Sequence, residues 1–214
     1  RYDVDRAITN VARIRELEQR YGVTSTLYLR AFCPFYSDRD IESLASSAWC
    51  TEIGLHGEFA RNSQRYGDEY TAARAEKEHL EKLIGRPVLG VCMHGGELRS
   101  NVSRNTLDAV ERAGFLYDTT QMLGYKLPFK RAVDGRLRNV YCFNHVFGDI
   151  KVRPTRTYAR DFYEKVMAKM DEVYESNGVF IVTLHPVYFG CVSYLLKAFN
   201  LAKLLRFVAL SNTE

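Results

Sequence analysis

Two carboxylates one residue apart, Asp3 and Asp5, stand at the end of the first strand-like run, Arg1-Tyr2-Asp3-Val4-Asp5. In extended backbone, side chains at i and i+2 leave from the same face. Both carboxyls therefore reach one small volume, where they either hold a cation or share a proton. The competing reading is that Asp5 caps a helix beginning near Arg6. Histidine is the second signal: of five, His56, His94, His145 and His185 each close a strand-like run, and only His79 lies in a helical one. One such histidine is more often a packed loop imidazole. Four of them beside a carboxylate pair point to a mononuclear site for a borderline divalent cation, zinc before others, with open positions for water and substrate. The second carboxylate then serves as base for that water.

The elements that must position these groups alternate along the chain. Ala7, Ile8, Val11, Ile14 and Leu17 have helical spacing that stops at Tyr21-Gly22. Residues 24–29 read as a strand, 40–49 as a helix, 52–56 as a strand and 57–68 as an irregular polar loop. A helix over 69–84 ends at Gly85-Arg86-Pro87, and the buried strand 88–93 delivers His94-Gly95-Gly96. A helix over 103–113 leads to the strand 115–117 and Asp118, and a strand over 139–143 ends at Asn144-His145. The helix 159–176 precedes the strand 179–184, which delivers His185-Pro186, and a last helix is expected over 192–210. Seven strand-like runs with intervening helices predict parallel βα units. With no glycine-rich phosphate loop after the first strand, a closed or distorted (β/α) barrel is preferred to an open doubly wound sheet. Barrels build their sites on loops at the carboxyl ends of their strands, which is where Asp3, Asp5, His56, His94, Asp118, His145 and His185 fall.

Composition bounds the partners. A chain of 214 residues with 46% hydrophobic content can bury a core as one domain, and a net charge of +4 without basic runs implies no nucleic acid. Five cysteines without framework spacing read as free thiols, giving a reducing, cytoplasmic compartment as the expectation. No apolar run approaches the length of a membrane span. The sequence opens directly on its first strand without Met and is read as a fragment lacking its native N-terminus.

These residues resemble the polysaccharide deacetylases of carbohydrate esterase family four. Arg1-Tyr2-Asp3-Val4-Asp5 is similar to that family's opening strand with an Asp-x-Asp variant of its Asp-Asp pair, and Glu52-Ile53-Gly54-Leu55-His56 to its Glu-Ile-Gly-x-His motif. Val182-Thr183-Leu184-His185-Pro186 resembles its closing Leu-His motif, and Thr106-Leu107 through Ala113-Gly114-Phe115-Leu116-Tyr117-Asp118 its segment after the third motif. The resemblance runs over nearly all of residues 1–214. It implies a single distorted (β/α)7 barrel and metal-assisted removal of N-acetyl or O-acetyl groups from a carbohydrate. By position it makes Asp3 the general base, Asp5 and His56 metal ligands, and His185 the general acid, with Asp118 a candidate to orient His185.

Two departures fall on the chemistry. The family's second metal histidine, four residues after the first, is Ala60 here. The strand end that usually supplies an arginine reads Cys92-Met93-His94-Gly95-Gly96, so His94 is expected to replace either the missing ligand or the arginine. A divergent branch with an Arg-x-Asp-Val-Asp opening resembles this chain more closely. Three classes follow: a deacetylase whose cation is held by Asp5, His56 and His94; another carbon–nitrogen amide hydrolase on the same barrel; and an inactive carbohydrate-binding relic. Among the remaining rim residues, Glu58 reads as a solvated loop charge, His145 and Asp149 as a possible pair, and Arg61 and Arg99 as candidates for charge stabilisation.

Overall fold

Short apolar runs separated by amphipathic helices fold here as repeated βα units. They are described in a computed structural model over residues 1–6, 8–47, 52–95, 102–120, 127–144, 147–149 and 158–189. The elements are β1 (Tyr2–Val4), α1 (Thr9–Tyr21), β2 (Thr26–Leu29), α2 (Asp38–Ala45), β3 (Glu52–Gly57), α3 (Phe59–Tyr66), α4 (Glu69–Ile84), β4 (Gly90–Met93) and α5 (Thr106–Arg112). They continue with β5 (Tyr117–Asp118), β6 (Phe129–Val133), β7 (Arg136–Cys142), β8 (Phe147–Gly148), α6 (Tyr158–Glu175) and β9 (Val182–Thr183), followed by a 3₁₀ turn over Pro186–Phe189. Strand order is β1-β2-β3-β4-β5-β7-β6 in one sheet and β8-β9 in another. All pairs are parallel except the β6–β7 hairpin.

The sheet curls back on itself at β1. Leu184, next after β9, bridges Tyr2 in parallel, with the Leu184 N–H donating to the Arg1 carbonyl at 3.1 Å and the Asp3 N–H to the Leu184 carbonyl at 2.8 Å. Among the described residues no ladder joins β7 to β8, so hydrogen bonds do not close the ring, and the barrel is distorted as expected.

Local signals explain most boundaries. Gly22 ends α1 in the left-handed region at φ 64°, where glycine carries no Cβ penalty. Ser37 and Asp40 form a capping box on α2, and Asp68 caps α4 by accepting the Thr71 N–H at 2.7 Å. Three expectations need correction. Residues 57–68 are not an irregular loop, because Phe59–Tyr66 forms a helix whose Phe59 is fully buried; the charged and polar run hid its one apolar anchor. The strand expected over 139–143 is the end of a longer hairpin, β6–β7, whose turn at Asp134-Gly135 has positive φ at both residues. Asp5 caps nothing, since α1 begins at Thr9 after Ile8, without a side-chain cap. His145 and the helix expected over 192–210 lie outside the described residues. No helix among the described residues is long and apolar enough to cross a membrane.

Register decides which side chains face the barrel axis. Asp3 pairs with Tyr28, Tyr28 with Gly54, His56 with Cys92 and Gly90 with Tyr117, so these residues share the inner face. Their neighbours Val4, Leu27, Leu29, Ile53, Leu55 and Val91 pack outward against the helices and are completely or almost completely buried. Large rings fill the interior over glycines: a Cβ on Gly54 would meet Tyr28 Cε1 at 2.6 Å, and Tyr28 is itself 1% exposed. Gly54→Ala should therefore destabilise the fold by about 1–3 kcal/mol through overpacking. Urea unfolding should show a lower midpoint at unchanged slope, and an unaltered midpoint would mean the interior has room that this packing denies.

Candidate active site

The site is assembled at the carboxyl ends of β1, β3 and β4 and of the segment after β9. His56 enters from β3 and His94 follows β4, tied to β3 by its N–H donating to the Gly57 carbonyl at 2.9 Å. Gly95 follows His94 at φ 74°, in the left-handed region that glycine enters without a Cβ penalty. His185 follows β9. The rings of His56 and His94 meet edge to face with centroids 5.1 Å apart.

Each imidazole has its Nδ1 committed to an acceptor. His56 Nδ1 lies 2.9 Å from the Cys92 carbonyl oxygen, His94 Nδ1 3.0 Å from Glu58 Oε1 and His185 Nδ1 2.6 Å from Asp149 Oδ1. A carbonyl and ionised carboxylates can only accept, so all three Nδ1 atoms carry protons, and each Nε2 holds a lone pair when its ring is neutral and a second proton when the ring is charged. These Nε2 atoms converge on Asp5: His56 at 3.1 Å and His94 at 3.5 Å from Oδ1, His185 at 3.9 Å from Oδ2. Asp5 Oδ1 is buried and, with His56 neutral, receives no hydrogen bond among the described residues. Lone pairs pointed at a buried carboxylate oxygen need positive charge between them, supplied either by a second proton on His56 or by a cation.

The titration behaviour says the same. Burial would push Asp5 up, but the hydrogen bond from His56 and the charges of His56, His185 and His94 hold it below the usual carboxylate range. Burial would lower His56, yet the charge of Asp3, the Asp5 hydrogen bond and the Cys92 side chain raise it well above ordinary histidine. His185, depressed by burial alone, is raised by Asp149.

Two donor sets have their atoms within 4.8 Å of one another: Asp5, His56 and His94, and Asp3, His56 and Cys92. The first fits a cation better. In the second, Asp3 already pairs with the buried Arg1 guanidinium at 3.0 Å, and burial pushes the Cys92 thiol up, away from the thiolate that a metal requires. Asp5, His56 and His94 supply one carboxylate and two correctly tautomerised imidazoles, each oriented from behind, which is the arrangement metal-binding histidines adopt. Ala60, in the first turn of α3, offers no donor atom, and His94 is the third donor grouped with Asp5 and His56.

The cluster thus gathers Asp3, Asp5, His56, His94 and His185, and it excludes Asp118. Asp118 alternates with Tyr117 and Thr119, which face the barrel interior, so it points to the outer side of the sheet. There it accepts the Thr120 N–H at 2.8 Å and the Thr120 hydroxyl, and it makes no hydrogen bond to His185. The partner of His185 is Asp149, which also accepts the His185 backbone N–H at 2.7 Å. Two other residues gain roles that the sequence did not give them. Arg1 bonds Asp3, Thr119 and the face of Tyr28, 5.4 Å from the ring centroid. Its relation to Asp3 was available in the sequence, since i and i+2 in a strand share a face. Glu58, read as a solvated charge, is instead 7% exposed and held by Arg30 at 2.7 Å. A cavity of about 520 Å³ near the amino ends of the strands, lined by Tyr28, Glu52 and Tyr117, contains none of the five clustered groups.

The solved structures place this architecture. It shares its fold with a protein from Mycobacterium smegmatis assigned as a polysaccharide deacetylase, at 19% identity and TM-score 0.74, over 94% of this chain and 70% of that one. Puue allantoinase matches at 20% identity and TM-score 0.66, over 96% of this chain and 67% of the other. A Pseudomonas aeruginosa PAO1 protein, also assigned as a polysaccharide deacetylase, matches at 18% identity and TM-score 0.67, over 92% and 66%. At such identities the likeness is one of fold, the (β/α)7 barrel of the deacetylases. No family model matches the sequence, and no curated protein matches it.

Glu76 underlies the whole arrangement. It is 2% exposed and accepts the Glu58 N–H at 3.1 Å and the Asn62 side-chain N–H at 2.7 Å. Burial and the charge of Glu58 raise its pKa from 4.5 to about 7, while burial of Glu58 is outweighed by His94 and Arg30, which hold that group at about 2. A carboxyl whose folded pKa is raised stabilises the fold fully below its unfolded value and loses that contribution as pH rises through the folded one. Glu76 should therefore make the protein less stable at pH 8 than at pH 5, by up to ~3 kcal/mol. Thermal melts across this range should show a flatter profile for Glu76→Gln than for the wild type. The variant should also melt lower at pH 5, because its amide nitrogen cannot accept one of the two N–H groups. Parallel profiles for the two proteins would remove Glu76 as the source.

Proposed function

We propose that this chain is a hydrolase of carbon–nitrogen bonds, and specifically a metal-assisted deacetylase of an N-acetylated sugar. One observation carries the reading: the Nε2 lone pairs of His56 and His94 face a buried Asp5 oxygen, and both rings are locked in that tautomer by their Nδ1 partners. Asp5, His56 and His94 would hold the divalent cation, with zinc suited to one carboxylate and two imidazoles, and three protein ligands is the number that catalytic zinc keeps. Bound there, such an ion polarises the acyl oxygen and lowers the pKa of a water molecule.

The remaining steps belong to the chain's own residues. Asp3, oriented by Arg1, takes the proton from the attacking water. The water oxygen adds to the acetyl carbon, and as the carbon–nitrogen bond breaks His185 delivers its Nε2 proton to the departing amine nitrogen. Acetate and the free amine are the products. Asp149 fixes the His185 ring and supports its protonated form, so His185 enters the cycle able to donate. Asp149 takes the orienting part that the sequence had suggested for Asp118. The fold shared with Puue allantoinase favours a second reading, hydrolysis of a carbon–nitrogen bond in a small molecule, in which the same water attacks a different carbonyl.

Metal content and acetate release test the proposal together. The zinc-loaded protein should release acetate from an acetamido sugar and should leave allantoin intact. His94→Ala should lose metal as fully as His56→Ala. His185→Ala should keep its metal while turnover falls on the order of a hundredfold or more, and Asp149→Asn should show a smaller loss of the same kind. Normal metal occupancy in His94→Ala would refute the ligand set, and metal binding without turnover on any substrate would leave an inactive relic.

A further inference from the structure

We infer that the sugar acted on carries an anionic group, a carboxylate or a phosphate, and that Arg6 and Arg61 receive it at the mouth of the site. The inference rests on the deacetylase reading and names its substrate class.

The two guanidiniums are held in place without being neutralised. Arg61 has a side chain 69% exposed and is anchored by Nη1 lying 3.3 Å from Glu58 Oε1. That same oxygen receives His94 Nδ1, so Arg61 stands one carboxylate oxygen away from a proposed metal ligand. Glu58 cannot cancel its charge, because Arg30 already lies 2.7 and 3.3 Å from Oε2 through Nη2 and Nε. One carboxylate thus stands between two guanidiniums, and the exposed one keeps its positive charge. Arg6 follows Asp5 directly and is exposed. Its guanidinium carbon lies 4.9 Å over the ring of Phe35, which is itself 53% exposed. The ring orients the cation but brings no negative charge. Among the described residues Arg6 makes no ion pair.

Anchored, uncompensated guanidiniums beside a catalytic cluster are well placed to take an anion. Each presents a planar fork that matches carboxylate and phosphate oxygens. A neutral acetamido sugar would leave both charges unanswered, whereas an acidic one satisfies them where Asp5, a quarter exposed, opens to solvent.

Calorimetric titration of the zinc-loaded protein with N-acetylglucosamine, N-acetylmuramic acid and N-acetylglucosamine 6-phosphate, alongside acetate release from each, provides the test. At least one acidic sugar should bind about tenfold more tightly than the neutral one at low salt, as expected for a charge-assisted contact. The advantage should shrink as salt is raised, and the arm that gains most identifies the group. R61Q and R6Q should each move the ratio of acidic to neutral binding toward one, with melting temperatures confirming that both variants fold. Equal binding of all three sugars, no measurable binding of either acidic one, or an equal loss for acidic and neutral sugars in the variants overturns the inference. Acetate release without acidic preference would sink it and spare the deacetylase, whereas arginine-dependent acidic binding without acetate release would do the reverse.

Discussion

Asp5 can collect three imidazoles only because each ring has its other nitrogen already engaged. A histidine left to itself chooses its tautomer and rotates; one whose Nδ1 proton is held by a carbonyl or a carboxylate must present Nε2 in one direction. The Cys92 carbonyl, Glu58 and Asp149 do this for His56, His94 and His185 in turn. The rim is therefore preorganised for a positive charge. The chemistry inferred for it depends on these three hydrogen bonds more than on the rings themselves.

Behind that layer lies a set of buried charges that stay affordable because each has a specific counterpart. Arg1 answers Asp3, Arg30 answers Glu58, and Glu76 meets the charge of Glu58 by holding its proton well above the ordinary carboxylate range. An unpaired charge in such surroundings would be strongly destabilising, while a paired and hydrogen-bonded one costs far less. The pairs contribute little net stability for the same reason, and their value here is in direction. Arg1 turns Asp3 toward the cluster, and Glu76 fixes the backbone from which Glu58 reaches His94. The packing of Tyr28 over Gly54 and of Tyr117 over Gly90 supplies the rigid floor.

Much of the architecture was readable from local signals, because those signals act over a few residues. The helix over 69–84 was expected at its observed bounds, since Asp68 caps its start and Gly85 allows its stop. The stop of α1 at Gly22 was equally clear. Where reading failed, a tertiary contact had overridden the local pattern. Residues 59–66 look like solvated loop and form a helix because Phe59 inserts into the core against Phe115, their ring centroids 6.2 Å apart. Glu58 looks like a surface charge and is buried because Arg30 and His94 meet it there.

The sequence by itself determined most of the alternation of strands and helices, though not α3, β6 or β8, together with the strand-end positions of Asp3, Asp5, His56, His94 and His185 and the family resemblance that links them. It did so because period-two alternation and helix caps are local properties of the chain. The tertiary structure alone decided which group answers which. It turned Asp118 outward by strand alternation and set Asp149 against His185 across 36 residues. It also joined Arg30 to Glu58 across 28. Those pairings depend on register between strands and on the direction in which each side chain leaves its strand. Both are fixed only when the sheet curls and β9 returns to β1.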